Sequence, residues 1–245
     1  MSDSLIVQRG DGVTRLVLSR EKVGNSLSLD LVCALQQHVD CCYSDGTRLL
    51  VLEAQGRHFC TGFDLSDLDS ETDDTLLARF VRIELLLQAI HRAPFTTAAL
   101  GHGLVMGAGA DLFAACEVRW LTGPASFRFP GAAFGLVLGT GRLARLIGAA
   151  LARDWVGSGR KVESKEALAS GFATAQIEPE SLADALEALA IRARRLEPTT
   201  QGQVYEASGG DPGLYAKDLY ALIRSAARPD LKKRIQEYRA AGKTN

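Results

Sequence analysis

Asp111 lies inside Leu100 to Cys116, LGHGLVMGAGADLFAAC, where most of its neighbours are Ala, Gly, Leu or Phe. A carboxylate among such residues needs an explanation, and proton transfer is one. Gly101, Gly103, Gly107 and Gly109 surround the approach to it. Glycine accepts φ > 0 and lets a ligand come close to the main chain. The first turn of a helix leaves N–H groups unpaired and carries the positive end of the helix dipole. Such a place can hold an anion, or an oxygen that becomes one during a reaction, beside a carboxyl able to move a proton. The alternative for Asp111 is a structural carboxylate stabilised by the dipole.

The other reactive side chains carry less. His58 and His102 are general-base candidates by type alone, and His102, beside the glycines, reads first as a turn residue. The histidines His38, His58, His91 and His102 have no ligand spacing with Cys33, Cys41, Cys42, Cys60 and Cys116, so no metal site is expected. None of the cysteines forms a C-x-x-C pair, and reduced thiols are the default. Gly101-x-Gly103 followed by Gly107 departs from G-x-G-x-x-G, and no acidic residue ends the next strand at the dinucleotide spacing. Both observations weigh against a nicotinamide-dependent dehydrogenase.

The elements that would position these groups follow from pattern. Phe95 to Leu100 reads as a short buried strand, followed by a glycine turn and a helix. Upstream, residues 4–9 and 13–18 are strand-like around Gly10-Asp11-Gly12, a hairpin signal. Ser28 can cap a helix with Leu31, Val32, Leu35 and Val39 at helical spacing. Arg48 to Ala54 is a buried strand, and Ser66 to Asp74 (SDLDSETDD) reads as a solvated, mobile acidic loop. Thr75 to His91 is a helix, stopped by Pro94. Downstream, Glu117 to Leu121 and Ser126 to Pro130 read as two strands and Arg142 to Val156 as one helix. Helices also follow over 164–170, 181–196, 214–227 and 230–241, with a short strand over 172–177. Strand–helix alternation argues for an α/β fold. Glu197-Pro198 marks the expected boundary between an α/β core, 1–196, and a helical region, 197–245. That region is basic, with Lys217, Arg224, Arg228, Lys232, Lys233, Arg234, Arg239 and Lys243 against Asp218, Asp230 and Glu237. A solvated helix face, or contact with a phosphorylated ligand, would account for it.

A chain of 245 residues with 47% hydrophobic content can bury a sizeable core. A net charge of −1 argues against nucleic acid as the main partner. The start, MSDSLIVQRGDG, lacks the features of a signal peptide, and no apolar run approaches the ~20 residues of a membrane helix. A cytoplasmic location, away from membranes, is the expectation.

Gly24 to Ser28, Phe59 to Leu65 and Gly101 to Leu112 are three blocks that together resemble motifs of the enoyl-CoA hydratase/isomerase (crotonase) superfamily. Gly24-Asn25-Ser26-Leu27-Ser28 is similar to its N-A-L-S element, and Phe59-Cys60-Thr61-Gly62-Phe63-Asp64-Leu65 to its F-C-A-G-x-D-L. Gly101-His102-Gly103 through Leu112 is similar to its N-G-x-x-x-G-G-G-x-E-L. Phe127-Arg128-Phe129-Pro130, Gly135-Leu136, Arg142 to Gly148 and Glu166 to Gly171 follow in the family's order. The resemblance implies a crotonase-like spiral of ββα units with a C-terminal helical region, assembled as trimers or dimers of trimers. It also implies an acyl-CoA thioester as substrate, coenzyme A being part of that substrate and not a separate cofactor. By motif position, the N–H groups of Phe63 and Ala108 would hold the thioester oxygen as it becomes an enolate. Coenzyme A would lie against Lys22, Val23, Ser26, Gly62, Asp64 and Leu65. Asp64 also suits a helix N-cap. Gly107, Gly131 and Phe134 would face the substrate, and Phe127 and Phe129 would line the acyl pocket or belong to the ordinary core.

The chain departs from the family's hydratases where they carry two glutamates. The first position is Asp111, and after Pro130 the second is Gly131. Two facing carboxylates can hold one water between them as base and acid; one carboxylate opposite Gly holds it less well. Asp is shorter than Glu by about 1 Å, a misplacement worth roughly 100-fold in rate. Ordinary hydratase activity is therefore doubtful. Three outcomes are open: Asp111 alone shuttles a proton, as in an isomerase; the gap at Gly131 admits a substrate group or a small anion; or the chain binds acyl-CoA without catalysis. The family's naphthoate synthases have Gly at the second position, but their downstream Asp is Leu138 or its neighbour here. A carboxylate from the loop at 66–74, or Glu84, could replace the missing glutamate.

Overall fold

The Asp11-Gly12 pair makes a two-residue turn with both residues at positive φ, 49° and 72°, the geometry that matches the twist of a hairpin. It joins β1 (Leu5–Gly10) to β2 (Val13–Leu18) in antiparallel pairing. The computed structural model describes residues 4–208 and 212–241. Lys243 of the basic tail, and residues 209–211 and 242–245 of the expected helical region, lie outside the described residues.

From β2 the chain runs through α1 (Leu29–Cys42), β3 (Leu49–Ala54), α2 (Asp73–His91), β4 (Thr96–Met106), α3 (Ala108–Ala115) and β5 (Val118–Arg128). Then come α4 (Thr140–Ile147), α5 (Ala149–Ser158), β6 (Val162–Glu163), α6 (Ser164–Ala169) and β7 (Ala175–Gln176). Four helices end the chain: α7 (Leu182–Ala193), α8 (Pro198–Ser208), α9 (Gly213–Ala226) and α10 (Leu231–Ala241). β2, β3, β4 and β5 are parallel neighbours, with β1 antiparallel at one edge and β6 and β7 both on β5. The expected α/β class holds. Leu50, Leu52 and Ala99 face the main core with α1, α2 and α3. Leu49, Val51, Ala98 and Leu100 face the other way, against Leu189, Ala190 and Ala193 of α7. Burial on both faces explains why β3 reads as an unbroken apolar run.

Several expectations are corrected. The glycine turn shrinks to Gly107 (φ 53°), because β4 continues through Gly101 and Gly103 to Met106. β4 keeps pairing with β5 as far as Met106 opposite Arg128, with a register shift between Gly101 and Gly103. The two strands over 117–121 and 126–130 are therefore one strand, β5. The expected helix 142–156 is two, α4 and α5, broken at Gly148 (φ 83°).

The segment 66–74 is largely exposed, as a solvated loop would be, but it is tied to the fold at several points. Leu68 is fully buried, and Thr72 caps α2 in a reciprocal capping box with Thr75. Glu71 pairs with Arg79, and the Asp73 carboxylate accepts hydrogen bonds from Leu231 N and Lys232 N at 3.1 and 2.8 Å. Two of its acidic side chains are engaged, Glu71 by Thr75 and Arg79 of α2 and Asp73 by the first N–H groups of α10, where a helix start attracts negative charge.

Candidate active site

The site forms where β4 hands over to α3. Cys60 and Val105 bridge in parallel, and Met106 N donates to Cys60 O at 3.0 Å. This draws Thr61–Phe63 alongside the start of α3. The approach is close: a first side-chain carbon on Gly62 would fall 2.7 Å from Met106 O and 3.5 Å from Ala108 N. Leu27 holds the far side of this segment, donating from N to Gly62 O (2.7 Å) and accepting at O from Asp64 N (3.2 Å). The Phe63 N–H lies between those two bonds. Among the described residues neither it nor the Ala108 N–H has an acceptor. Phe63 and Ala108 both line one cavity of about 120 Å³.

Asp111 is one turn further along α3 and is 5% exposed, its exposed edge in that cavity. No side chain among the described residues donates a hydrogen bond to its carboxylate. Its Oδ1 presses on Gly139, where a side chain's first carbon would come within 1.9 Å. Burial pushes the Asp111 carboxyl well above the usual carboxylate range; the Arg142 guanidinium opposes that shift and Glu84 adds to it. A buried carboxyl of raised pKa with an open edge is suited to exchanging a proton with a bound molecule.

The opposite wall is apolar. A one-turn helix, Pro130–Phe134, and the stretch to Thr140 present Gly131, Phe134, Leu136 and Leu138. The Leu136 N–H bonds to Gly131 O at 2.9 Å. α10 closes the cavity with Ile235 and Tyr238, whose ring contacts Phe134 at 5.4 Å between centroids. Asp111 is the one carboxylate among the residues that line the cavity.

The chain's relatives share this architecture. The model of the enoyl-CoA hydratase/isomerase family matches residues 13–236. This chain belongs to that family. A Bacillus subtilis (strain 168) protein described as a probable enoyl-CoA hydratase is 30% identical over 205 residues, 80% of this chain and 76% of the relative. A solved structure from Bordetella parapertussis, provisionally described as an enoyl-CoA hydratase/isomerase, is 40% identical. The match covers 98% of this chain and 99% of that one, with a TM-score of 0.94. An enoyl-CoA hydratase from Bacillus halodurans, 19% identical, shares the fold at TM-score 0.84 over 96% of this chain and 99% of its own. The crotonase fold expected from the motifs is therefore the fold of this chain.

Not every family-motif position reaches the cavity. Gly62, Phe63, Leu65, Gly107, Ala108, Asp111, Gly131 and Phe134 line it. Lys22, Val23, Ser26 and Asp64 do not. Lys22 and Val23 sit exposed in a one-turn helix whose neighbour Gly24 accepts from Thr61 N at 3.0 Å, which puts them beside the cavity's approach. Asp64 is held by Arg20 Nη1 at 2.8 Å and accepts from Ser66 N at 3.0 Å, which keeps its carboxyl below the usual range. It caps a turn, and not a helix as the N-cap expectation had it.

His58 and His102 are not bases at this site: His58 Nδ1 bonds Leu104 N and His102 Nε2 bonds Gly56 O, each at 3.0 Å. Phe127 belongs to the core, packed on Phe113 and Phe172, whereas Phe129 reaches the cavity edge. Glu84 is buried against Arg142 and Gln88, outside the cavity lining. Neither it nor an acidic residue of 66–74 lines the cavity, so the expectation that one of them stands in for a second glutamate does not hold.

Sequence reasoning missed Arg20, Arg79, Gly139 and the cavity-facing side of α10. Arg79 stacks over the Phe63 ring at 4.2 Å. Ile235 and Tyr238 are three apart, the spacing of one helix face. That signal was available but hidden under the tail's charges. Two of those charges serve structure: Arg234 donates to Phe134 O at 2.7 Å and Lys232 to Asp69 O at 2.7 Å.

Proposed function

We propose that this chain is an enzyme that moves a double bond in a short acyl-CoA thioester, with Asp111 as its acid and base. The observation that carries the reading is one buried carboxyl facing a carboxylate-free wall, beside two unpaired N–H groups. A 3-enoyl thioester bound with its carbonyl oxygen on the Phe63 and Ala108 N–H groups would lose a proton from C2 to Asp111. The electrons shift to give a dienolate, its oxygen held by the two donors. Asp111 then returns the proton to C4, leaving the 2-enoyl thioester. Backbone donors aimed at a developing oxyanion contribute roughly 3–4 kcal/mol each.

Adding water would need a second group to orient it, and Gly131 offers none. A cavity of about 120 Å³ is somewhat smaller than the ~150 Å³ site that takes a benzene ring, which favours a short acyl group. Coenzyme A would run out past Leu65 and Asp64 to the main chain at Lys22, Val23 and Ser26. The reaction as written needs no separate cofactor or metal. We also assign the chain to the cytoplasm, as a homotrimer or dimer of trimers, with the helices after residue 197 in the assembly; light scattering tests the mass. No helix among the described residues is long and apolar enough to cross a membrane.

A second reading, an acyl-CoA-binding protein without turnover, is favoured by the same bare wall at Gly131. One experiment separates them. Short 3-enoyl-CoA and 2-enoyl-CoA are offered to the purified protein, and the conjugated-thioester absorbance is followed with binding measured by calorimetry. The expected result is growth of absorbance from the 3-enoyl substrate, lost in Asp111→Ala while ligand still binds. Rapid loss of absorbance from the 2-enoyl substrate by water addition would overturn the isomerase reading. Binding without any turnover would establish the second reading.

A further inference from the structure

Behind Asp111, away from the cavity, lies a second buried charge pair that the reaction above does not use. Glu84 of α2 and Arg142 of α4 are 0% and 1% exposed, and Arg142 Nη2 lies 3.1 Å from Glu84 Oε1. Gln88 Nε2 donates to the same Glu84 oxygen at 2.8 Å and also to Tyr215 O at 3.0 Å. The pairing is incomplete. Glu84 Oε2 and the Arg142 nitrogens Nε and Nη1 have no hydrogen-bond partner among the described residues. Replacing such a buried pair by apolar side chains is often neutral or stabilising, so stability alone is a weak reason for it.

Its place in the fold supplies another reason. α4 opens at Gly139, the residue against which the Asp111 carboxylate rests, and Arg142 follows three positions on. α2 also packs on α3 and brings Glu84 against Arg142. A desolvated carboxyl strongly prefers its neutral form unless a cation faces it. Here the cation is shared with a second carboxylate. Three buried groups, two acidic and one basic, carry a net negative charge when all are ionised, so the two carboxyls compete for one cation and titrate as a coupled set.

We propose that Arg142 and Glu84 are positioning residues for Asp111: the guanidinium, carried on the helix whose start touches the Asp111 carboxylate, supplies positive charge behind that carboxyl, and Glu84, paired with the same guanidinium, limits it. This rests on the reading of Asp111 as the acid and base. Burial raises the carboxyls of both Asp111 and Glu84, and Arg142 opposes the rise in each. Asp111 is acted on by Arg142 from α4 and Glu84 from α2. Asp218 of α9, paired with Arg145 of α4 at 2.6 Å, and His91 at the end of α2 act on this pair from further out. Burial pushes His91 down to about 4, so it stays neutral near pH 7.

The test is direct titration of Asp111 by carbon NMR of protein labelled at the aspartate carboxyl carbons, with Asp111→Asn identifying the signal. Glu84→Gln keeps the shape and removes the competing charge, so the Asp111 midpoint should fall by about 1 pH unit or more. Arg142→Met removes the cation, so the midpoint should rise by a similar amount, and Arg142→Lys should bring it back towards the parent value. A merely structural pair would move both variants in one direction or neither, and either outcome overturns the proposal. If Arg142→Met does not fold, Glu84→Gln decides alone, since an unmoved or raised midpoint there is fatal. The titration needs no turnover. Opposite shifts in a protein that isomerises nothing would retain the charge coupling and reject the isomerase reading.

Discussion

The two walls of the cavity are built by different physics. The wall of Phe63, Ala108 and Asp111 is fixed by strand pairing and backbone contact. β4 pairs with β5 up to Met106, Cys60 bridges Val105, and Leu27 clamps both neighbours of Phe63. The facing wall, Gly131 to Leu138, is a one-turn helix and a loop tied down by a few long side chains, chiefly Arg234 on Phe134 O. Polar chemistry sits on the stiff wall, where a carboxyl and two N–H groups keep a set geometry. The looser wall carries apolar shape. Groups that transfer a proton must be held to within about 1 Å, whereas an apolar ligand chain tolerates more; on the proposed reading the division follows that requirement.

The largest expected effect comes from moving the stiff wall by one methyl group. Gly139 has φ 64°, and a Cβ there would meet Asp111 Oδ1 at 1.9 Å. Gly139→Ala should displace the carboxyl and lower kcat by about 100-fold with little change in KM. Steady-state kinetics on the 3-enoyl substrate check it. An unchanged kcat would mean that the position of Asp111 is not critical, and the comparison between the walls would fail.

The loose wall should instead accept new chemistry. A side chain at Gly131 first meets Leu136 O at 3.3 Å, a contact that a small shift relieves. Gly131→Glu should fold and should raise hydration of a short 2-enoyl-CoA by roughly 100-fold, the low end of what one positioned acid–base group contributes. No gain would show that a second carboxylate needs more support than this loop gives.

The smallest effect is on stability. A carboxyl whose folded pKa is raised binds its proton more tightly in the native state than in the unfolded chain. Its contribution to stability therefore falls as pH rises from the ordinary carboxylate value towards the raised one. Asp111→Asn removes that penalty. The variant should be more stable than the parent by about 1 kcal/mol at pH 8, and the gain should vanish near pH 4. Denaturant titrations at the two pH values measure it. A gain that grows with acid would reverse the sign and contradict the burial of Asp111.

Local signals were enough for much of the molecule. The Asp11-Gly12 turn, the Ser28 cap and the apolar run of β3 each specify their element through nearby residues alone. The ordered motifs around Ser26, Phe63 and Asp111 carried the family and the cavity's stiff wall, because the backbone geometry there depends on residue types within each motif. Other features depend on partners distant in sequence. Whether Gly101 and Gly103 end a strand or lie inside one was decided by β5, which continues alongside them. Asp73 of the acidic run at 66–74 caps α10 only because that helix returns to it, more than 150 residues later.

The same reason hid the cluster behind Asp111. Glu84, Asp111 and Arg142 belong to three helices and share no spacing that a linear pattern could reveal. Sequence alone determined which chemistry the chain can offer: a carboxyl beside a helix start, and a residue without a side chain at Gly131. Tertiary structure decided what surrounds that carboxyl. Charge and burial act through space, and folding sets those distances.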